Sequence, residues 1–206
     1  MSVGNRVVLV RHGPSAHIHR GALDRDGVRR WRDAYDATGI VVDCEPPQSV
    51  IALAADATHI IASDLPRAIE SARRLAPKRE IRISELMREA PLPIPRWPTR
   101  LPLAGWGAAI YVTWGYDRIR GADRTGEHWA RAASAAKWLA ELGGTGDTTL
   151  VVTHGVFRRL LAEQLLGLGW MATERRGGYR HWSSWSFTGR GAMAAPAAPS
   201  GAESLP

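Results

Sequence analysis

The stretch Val7-Val8-Leu9-Val10-Arg11-His12-Gly13 decides the fold class of this chain. Its four apolar residues form a short run flanked by arginines, which is typical of a parallel strand that is buried on both faces. The run ends in a cation, an imidazole and a glycine. We therefore expect a central strand that presents Arg11 and His12 at its carboxyl end.

Two later stretches repeat this pattern. Residues 58–63 form a β-branched run that leads into Asp64-Leu65-Pro66-Arg67, and residues 149–153 form another that leads into His154-Gly155. In open α/β sheets, ligands bind at the carboxyl ends of the parallel strands. Four side chains that are far apart in sequence should therefore converge on one site: Arg11, His12, Arg67 and His154.

Two guanidinium groups and two imidazoles suit a doubly charged oxyanion, most plausibly a phosphoryl group. Arg67 falls in the first turn of a helix that Ser63 or Asp64 can cap, where free N–H groups also favour an anion. His12 is the candidate nucleophile, since a neutral imidazole can attack phosphorus. Its second ring nitrogen must then donate to a fixed acceptor, for which we expect a backbone carbonyl in the Gly13 turn.

The 206 residues suit one α/β domain with a tail. We predict a three-layer α/β/α sandwich around a mainly parallel sheet, with a single catalytic domain over residues 1–190 and a flexible Ala/Pro/Gly-rich tail over 191–206. Predicted strands cover 6–11, 58–63, 81–83, 149–153 and an edge strand within 179–187. Predicted helices cover 27–38, 48–57, 66–76, 103–114, 126–142 and the segment after Gly155.

Composition limits the classes of binding partner and the cellular compartment that we expect. The net charge is +7, but the basic residues are spread along the chain without a block or a known nucleic-acid motif, so we expect no nucleic-acid partner. No apolar run approaches the roughly 18 residues of a membrane span, and no signal segment is evident. The single cysteine, Cys44, excludes an internal disulfide and fits a reducing cytoplasm. We expect a cytoplasmic protein that binds a phosphorylated small molecule.

Two other features are weaker signals. His17-Ile18-His19 has no third ligand nearby, so we expect neither a metal site nor a cofactor. Residues 85–102 are rich in proline, which predicts a stiff surface loop beside the strand ends. Aromatic and basic residues in and after this loop are candidates for the substrate mouth, although tryptophans at helical spacing are more often core: Trp97, Trp106, Trp114, Arg96 and Arg100.

The three strand-end stretches together resemble a known family. Leu9-Val10-Arg11-His12-Gly13 looks like the Arg-His-Gly signature of the histidine phosphatase superfamily, which includes the cofactor-dependent phosphoglycerate mutases. Residues 63–68 resemble the family's second arginine segment, and residues 151–155 resemble its second-histidine segment. The resemblance spans about residues 7–166 and implies a phosphoglycerate mutase-like fold.

The resemblance also implies roles for particular residues. His12 would be phosphorylated, while Arg11, Arg67 and His154 would hold the phosphoryl oxygens. The family uses a carboxylic acid to protonate the leaving group, and Met87-Arg88-Glu89 matches that segment best. Glu89 is therefore the expected acid, with Glu85, Glu127 or an aspartate as alternatives.

His17 stands where many members have an asparagine, which makes it a candidate phosphate contact. The implied activity is hydrolysis of phosphate monoesters through a phosphohistidine, without a metal or cofactor. Residues that mark true phosphoglycerate mutases are not evident, which favours a phosphatase. The alternatives are a phosphomutase and a phospho-ligand binding module that lacks turnover.

Overall fold

A computed structural model describes residues 4–121, 126–142 and 146–189. Its strands are β1 (Arg6–Arg11), β2 (Ala22–Leu23), β3 (His59–Ser63), β4 (Arg82–Ser84), β5 (Leu101–Pro102), β6 (Thr148–Thr153), β7 (Met171–Arg176) and β8 (Ser184–Thr188). Its helices are α1 (Arg25–Asp36), α2 (Gln48–Ala55), α3 (Pro66–Leu75), α4 (Leu103–Ile119), α5 (Glu127–Leu142) and α6 (Gly155–Gly167). The predicted tail, residues 191–206, lies outside the described residues.

The main sheet has six strands in the order β4-β3-β6-β1-β8-β7. The first four of these are mutually parallel, and β8 runs antiparallel to both β1 and β7. Arg11 pairs with Thr153 in register, and Ala62 pairs with Val152. The carboxyl ends of β1, β3 and β6 therefore meet at one edge of the sheet, as the sequence predicts.

The two faces of the sheet carry separate apolar cores because side chains alternate along each strand. Val7 and Leu9 of β1 pack with residues of α4, α5 and α6, whereas Val8 and Val10 pack with residues of α2 and α3. Helices thus cover both faces of the sheet. The predicted three-layer α/β/α fold class is confirmed.

The predicted edge strand is placed wrongly. β8 lies between β1 and β7, so it is internal, and the edge position belongs to β7, which was not predicted. β7 was not predicted because its side chains face solvent. β7 is largely solvent-exposed and its sequence, Met-Ala-Thr-Glu-Arg-Arg, lacks the apolar alternation that indicates a half-buried strand.

Two helix starts also differ from the prediction. α1 begins at Arg25, two residues before the predicted start, and Asp24 caps it by accepting a hydrogen bond from the Gly27 N–H at 2.7 Å. α3 has no side-chain cap, because Ser63 bonds His154 and Asp64 forms an ion pair with Arg88. In addition, α4 continues five residues beyond the predicted end.

Cys44 is partly buried and forms no disulfide, and its sulfur accepts a hydrogen bond from Trp182 Nε1 at 3.2 Å.

Among the described helices, none combines the length and apolarity that crossing a bilayer requires.

Candidate active site

Four predicted side chains meet at the carboxyl edge of the sheet. β1 ends at Arg11 and leads directly into His12, β6 leads into His154 at the start of α6, and α3 places Arg67 in its first turn. The rings of His12 and His154 are 5.0 Å apart between centroids, and Arg67 Nε lies 3.3 Å from His12 Nε2. Residues separated by more than 140 positions in the chain thus share one site.

The imidazole of His12 is held in one tautomer. It is 2 % exposed, and its Nδ1 lies 2.7 Å from the carbonyl oxygen of Gly13. A carbonyl only accepts, so Nδ1 must carry the hydrogen. Nε2 is then unprotonated, and its lone pair accepts the hydrogen bond from Arg67 Nε. The contact with the Gly13 turn that the sequence predicts is present.

The side chain of Arg67 is only 1 % exposed, and several contacts fix its guanidinium. Its Nη1 donates to the carbonyl of Tyr35 at 3.1 Å, and its Nη2 forms an ion pair with Asp36 at 3.0 Å. The guanidinium also lies 4.3 Å from the centroid of the Tyr35 ring. These contacts come from the end of α1 and fix the guanidinium beside His12. No pattern in the sequence indicated these contacts.

His154 and Arg11 each leave one buried nitrogen without a partner among the described residues. His154 Nε2 lies 2.8 Å from the hydroxyl of Ser63, while its Nδ1 has no partner. Arg11 Nη1 donates to the carbonyl of Tyr179, while its Nε has no partner. Buried polar atoms are nearly always paired in native proteins. Arg11 Nε can donate to an oxygen of a bound anion, and so can His154 Nδ1 in the tautomer whose Nε2 accepts the hydroxyl hydrogen of Ser63.

Burial and nearby positive charges keep the imidazoles of His12 and His154 uncharged at neutral pH. Burial is the main cause that lowers the pKa of His12 well below 6.5, and the positive charge of Arg67 adds to it. Burial likewise lowers the pKa of His154 well below 6.5, with His12 and Arg67 contributing. Neutral rings among fixed guanidinium groups leave an excess of positive charge, which favours binding of a phosphate dianion.

Glu89 caps the helix that begins after His154. Its Oε1 accepts hydrogen bonds from the N–H groups of Phe157 at 2.8 Å and Ala90 at 3.0 Å. Its Oε2 has only a long contact, 3.5 Å, to the N–H of Val156. Burial raises the pKa of Glu89 above its usual value, although these N–H groups oppose the shift. The carboxyl group thus retains a proton to higher pH than a solvated glutamate does.

Arg131 of α5 holds the segment that carries Glu89 in place through hydrogen bonds. Its guanidinium donates to the carbonyls of Leu86, Arg88 and Glu89, and it lies 4.3 Å from the centroid of the Phe157 ring. This contact fixes the backbone of the acid. The sequence did not indicate the role of Arg131, because this residue lies more than 40 positions after Glu89, on a helix that carries no recognised motif.

A third imidazole, His181, was also missed. Its ring centroid lies 5.3 Å from that of His12, and its Nδ1 lies 3.1 Å from the carbonyl oxygen of His12. The neighbouring residue Trp182 has φ 61°, a strained conformation for a non-glycine residue, and its ring packs where a side chain at Gly13 would lie. The turn between β7 and β8 therefore covers the nucleophile. Its only sequence signals are the turn glycines Gly177 and Gly178.

The fully buried side chain of Arg158 holds this turn in place. Its guanidinium donates to the carbonyl and hydroxyl of Ser183, both at 2.8 Å, and to the carbonyl of Gly178 at 3.1 Å. It also lies 4.1 Å from the centroid of the Trp185 ring. Burial lowers the pKa of Arg158 to about 10, with the charge of Arg11 contributing, so the group remains protonated at neutral pH.

We expect Arg158→Met to lower the free energy of unfolding by about 2 kcal/mol or more, because buried carbonyls of the turn lose their donor. Urea denaturation measures the loss. Arg159→Met is the matched control, since Arg159 lies on the surface of the same helix and forms an ion pair with Glu163 at 3.7 Å. It should cost less than about 1 kcal/mol. Equal losses in the two variants would contradict the structural role of Arg158.

The described contacts of His17 are with other residues. Its ring lies 5.9 Å from that of Trp31, and no described contact joins it to His12, Arg67 or His154. The tryptophans considered for the substrate mouth also lie elsewhere. Trp106 and Trp114 are buried core residues, and Trp97 lines a separate groove with Asp24 and Arg100. The described residues contain no cluster of three or more side chains able to hold a metal ion.

Comparisons with known proteins identify the family of the chain. Residues 51–192 match the family model of the histidine phosphatase superfamily (branch 1), which is more than half of the chain. The matched range contains Arg67, Glu89 and His154 and begins after His12. No curated protein matches the chain in sequence.

Solved structures share the fold at low sequence identity. Mycobacterial hydrolase 1 is 20 % identical, with a TM-score of 0.58 and coverage of 92 % of each chain. The mycobacterial glucosyl-3-phosphoglycerate phosphatase is 19 % identical, with a TM-score of 0.56 and coverage of 90 % of each chain. The family match, together with this shared fold, shows that the chain belongs to the histidine phosphatase superfamily, branch 1.

Proposed function

We propose that this protein hydrolyses phosphate monoesters through a phosphohistidine intermediate at His12. One observation carries the proposal most strongly: His12 Nε2 is unprotonated, because Nδ1 donates to Gly13, and it lies beside Arg67 and His154. A binding site for phosphate needs cations, but it does not need an imidazole held in the tautomer that can attack phosphorus. Of the two structural neighbours, one is named a glucosyl-3-phosphoglycerate phosphatase and the other a hydrolase, and both names are compatible with this proposal.

In the first step, His12 Nε2 attacks phosphorus and the bond from phosphorus to the ester oxygen breaks. Arg11, Arg67 and His154 hold the phosphoryl oxygens, where the unpaired Nε of Arg11 and Nδ1 of His154 are available. Glu89 donates its proton to the departing alkoxide, which is a poor leaving group without one. The products are an alcohol, a phosphohistidine and an ionised Glu89.

In the second step, the Glu89 carboxylate accepts a proton from water as the water oxygen attacks phosphorus. The bond between phosphorus and Nε2 breaks, so that His12 returns to its neutral form and phosphate leaves. Glu89 thereby regains the proton that it lost in the first step. His17 remains a predicted phosphate contact, based on its place in the family motif.

The test is turnover of a generic aryl phosphate in the presence of chelator, combined with rapid quenching of radiolabelled substrate. We expect phosphate release and an acid-labile, base-stable phosphoenzyme. The absence of product at every pH from about 4 to 9 would support a phospho-ligand binding module instead. Transfer of the label to a second substrate molecule, in place of water, would support a phosphomutase.

The pKa shifts predict an acidic optimum for substrates with poor leaving groups. Because the pKa of His12 is lowered, the nucleophile stays neutral in mild acid; because the pKa of Glu89 is raised, the acid stays protonated there. The contribution of Glu89 to kcat/KM is present at low pH and is lost as pH rises through its pKa. The ratio of wild-type kcat/KM to that of Glu89→Gln, measured with glycerol phosphate, should therefore fall between about pH 5 and about pH 8.

This ratio cancels the ionisation of the substrate, which is the same for both proteins. A ratio that is constant or that rises with pH would assign the proton donation to another group.

A further inference from the structure

A cavity of about 750 Å³ adjoins the proposed reaction site. Arg67 and Glu89 both line it, together with residues of α1, α4, α5 and the segment 84–94. A general acid must lie within hydrogen-bond reach of the oxygen that it protonates. The leaving group of a substrate held by Arg67 and protonated by Glu89 would therefore occupy this cavity, an inference that rests on the proposed function.

Apolar side chains form a substantial part of the cavity lining. They come from four separate parts of the chain, which together form one lining: Val28, Trp31, Leu65, Leu92, Ile94 and Ile110. A volume of this size falls within the range of roughly 300–1,000 Å³ that is typical of sites for drug-sized ligands. A small polar alcohol such as glycerol would leave most of this apolar surface in contact with water.

One wall of the cavity is a stack of aromatic rings that begins at the reaction site. The Arg67 guanidinium lies over the Tyr35 ring, and Tyr35 in turn stacks on Trp31 with centroids 5.0 Å apart and an angle of 26° between planes. The Nε1 of Trp31 has no hydrogen-bond partner among the described residues. Apart from this donor and the Tyr35 hydroxyl, the wall consists of flat aromatic surface, and it is continuous with the phosphoryl-binding arginine.

Most charged groups of the lining are already satisfied within the protein. Asp36 pairs with Arg67, Arg88 pairs with Asp64, and Arg131 donates to backbone carbonyls. The other charged groups of the lining are Glu89, the half-buried Arg32, and three residues that are exposed to solvent: Asp33, Glu85 and Glu127. An apolar ligand would thus bury few unpaired charges.

We propose that the physiological substrate is the phosphate monoester of a bulky, apolar alcohol, whose body lies against Trp31, Leu92 and Ile94 while Arg67 holds its phosphoryl group. Burial of apolar surface then supplies much of the binding free energy. Transfer of each methylene group out of water favours binding about fourfold. Affinity should therefore rise with the length of the apolar body.

The experiment measures binding of octylphosphonate and ethylphosphonate by titration calorimetry. These probes share a head group and cannot be hydrolysed, because carbon replaces the ester oxygen. We expect octylphosphonate to bind at least about tenfold more tightly, since burial of only two of its six extra methylenes would suffice. Equal affinities would overturn the proposal.

Two variants on the same loop locate the binding surface. Ile94→Asp places a charge in the large cavity and should reduce the octyl-to-ethyl affinity ratio at least about tenfold. Trp97→Asp makes the same kind of change outside this cavity, in the separate groove, and should leave the ratio unchanged. A ratio that Ile94→Asp leaves unchanged, or that the two variants reduce equally, would also overturn the proposal. If Ile94→Asp does not fold, Leu92→Asp takes its place.

This outcome is separate from that of the proposed function. Phosphonate affinity does not depend on turnover, whereas the phosphohistidine assay does not depend on the chain length of the ligand. A phosphoenzyme with equal phosphonate affinities would leave the proposed function standing and remove only the apolar substrate class.

Discussion

His12→Ala should reduce phosphatase activity to the limit of detection, a loss on the order of 10⁵-fold or more. The variant lacks the Nε2 lone pair that forms the phosphohistidine, and the fixed cations alone cannot split the transfer into two steps. Steady-state kinetics with an aryl phosphate measure the loss. Rapid quenching of radiolabelled substrate should show no acid-labile phosphoprotein.

His59→Ala provides a matched control for this experiment. His59 lies at the start of β3, whereas the proposed site lies at the opposite ends of the parallel strands, and its only described ion pair is a 3.8 Å contact with Asp147. We expect wild-type rates and a normal phosphoenzyme in this control. Wild-type activity in His12→Ala would eliminate the proposed mechanism, provided that both variants retain the native unfolding transition.

Glu89→Gln should slow substrates with poor leaving groups by about 10²–10⁴-fold. The amide keeps the shape of the side chain but has no acidic proton for the departing alkoxide. Nitrophenolate needs no proton to leave, so hydrolysis of nitrophenyl phosphate should change far less. The measurement is kcat/KM for glycerol phosphate and for nitrophenyl phosphate in the wild type and the variant.

Glu85→Gln is the matched control, because Glu85 belongs to the same segment and was an alternative acid in the sequence analysis. It is exposed, in contrast to Glu89. We expect no dependence on the leaving group in Glu85→Gln. Equal slowing of both substrates in Glu89→Gln would move the acid role to another residue, and a leaving-group effect in Glu85→Gln would identify that residue.

Much of the fold could be predicted because its signals are local. Short β-branched runs marked four parallel strands, and Pro66 and Gly155 marked the helices that follow two of them. Since parallel strands end at a common edge, the meeting of His12, Arg67 and His154 followed from the pattern alone. β7 was not predicted, because an exposed edge strand does not require an apolar face and therefore shows no apolar alternation in the sequence.

The surroundings of the site depend on contacts between distant segments, which leave no periodic signal in the sequence. Asp36 reaches Arg67 from the end of α1, and Arg131 reaches the backbone of Glu89 from α5. His181 reaches His12 from a turn that only the pairing of β7 with β8 brings to this edge. Tryptophans of the core and of the cavity wall could not be distinguished, because both occur at helical spacing.

The sequence by itself determined which residues end the central strands, because burial on both faces requires continuous apolar runs and only their ends can be polar. The tertiary structure alone decided the ion pair between Asp36 and Arg67, the burial that shifts the pKa of Glu89, and the cavity beside Arg67. These properties arise from how elements pack against one another, and a side chain's surroundings are not encoded by its neighbours in the chain.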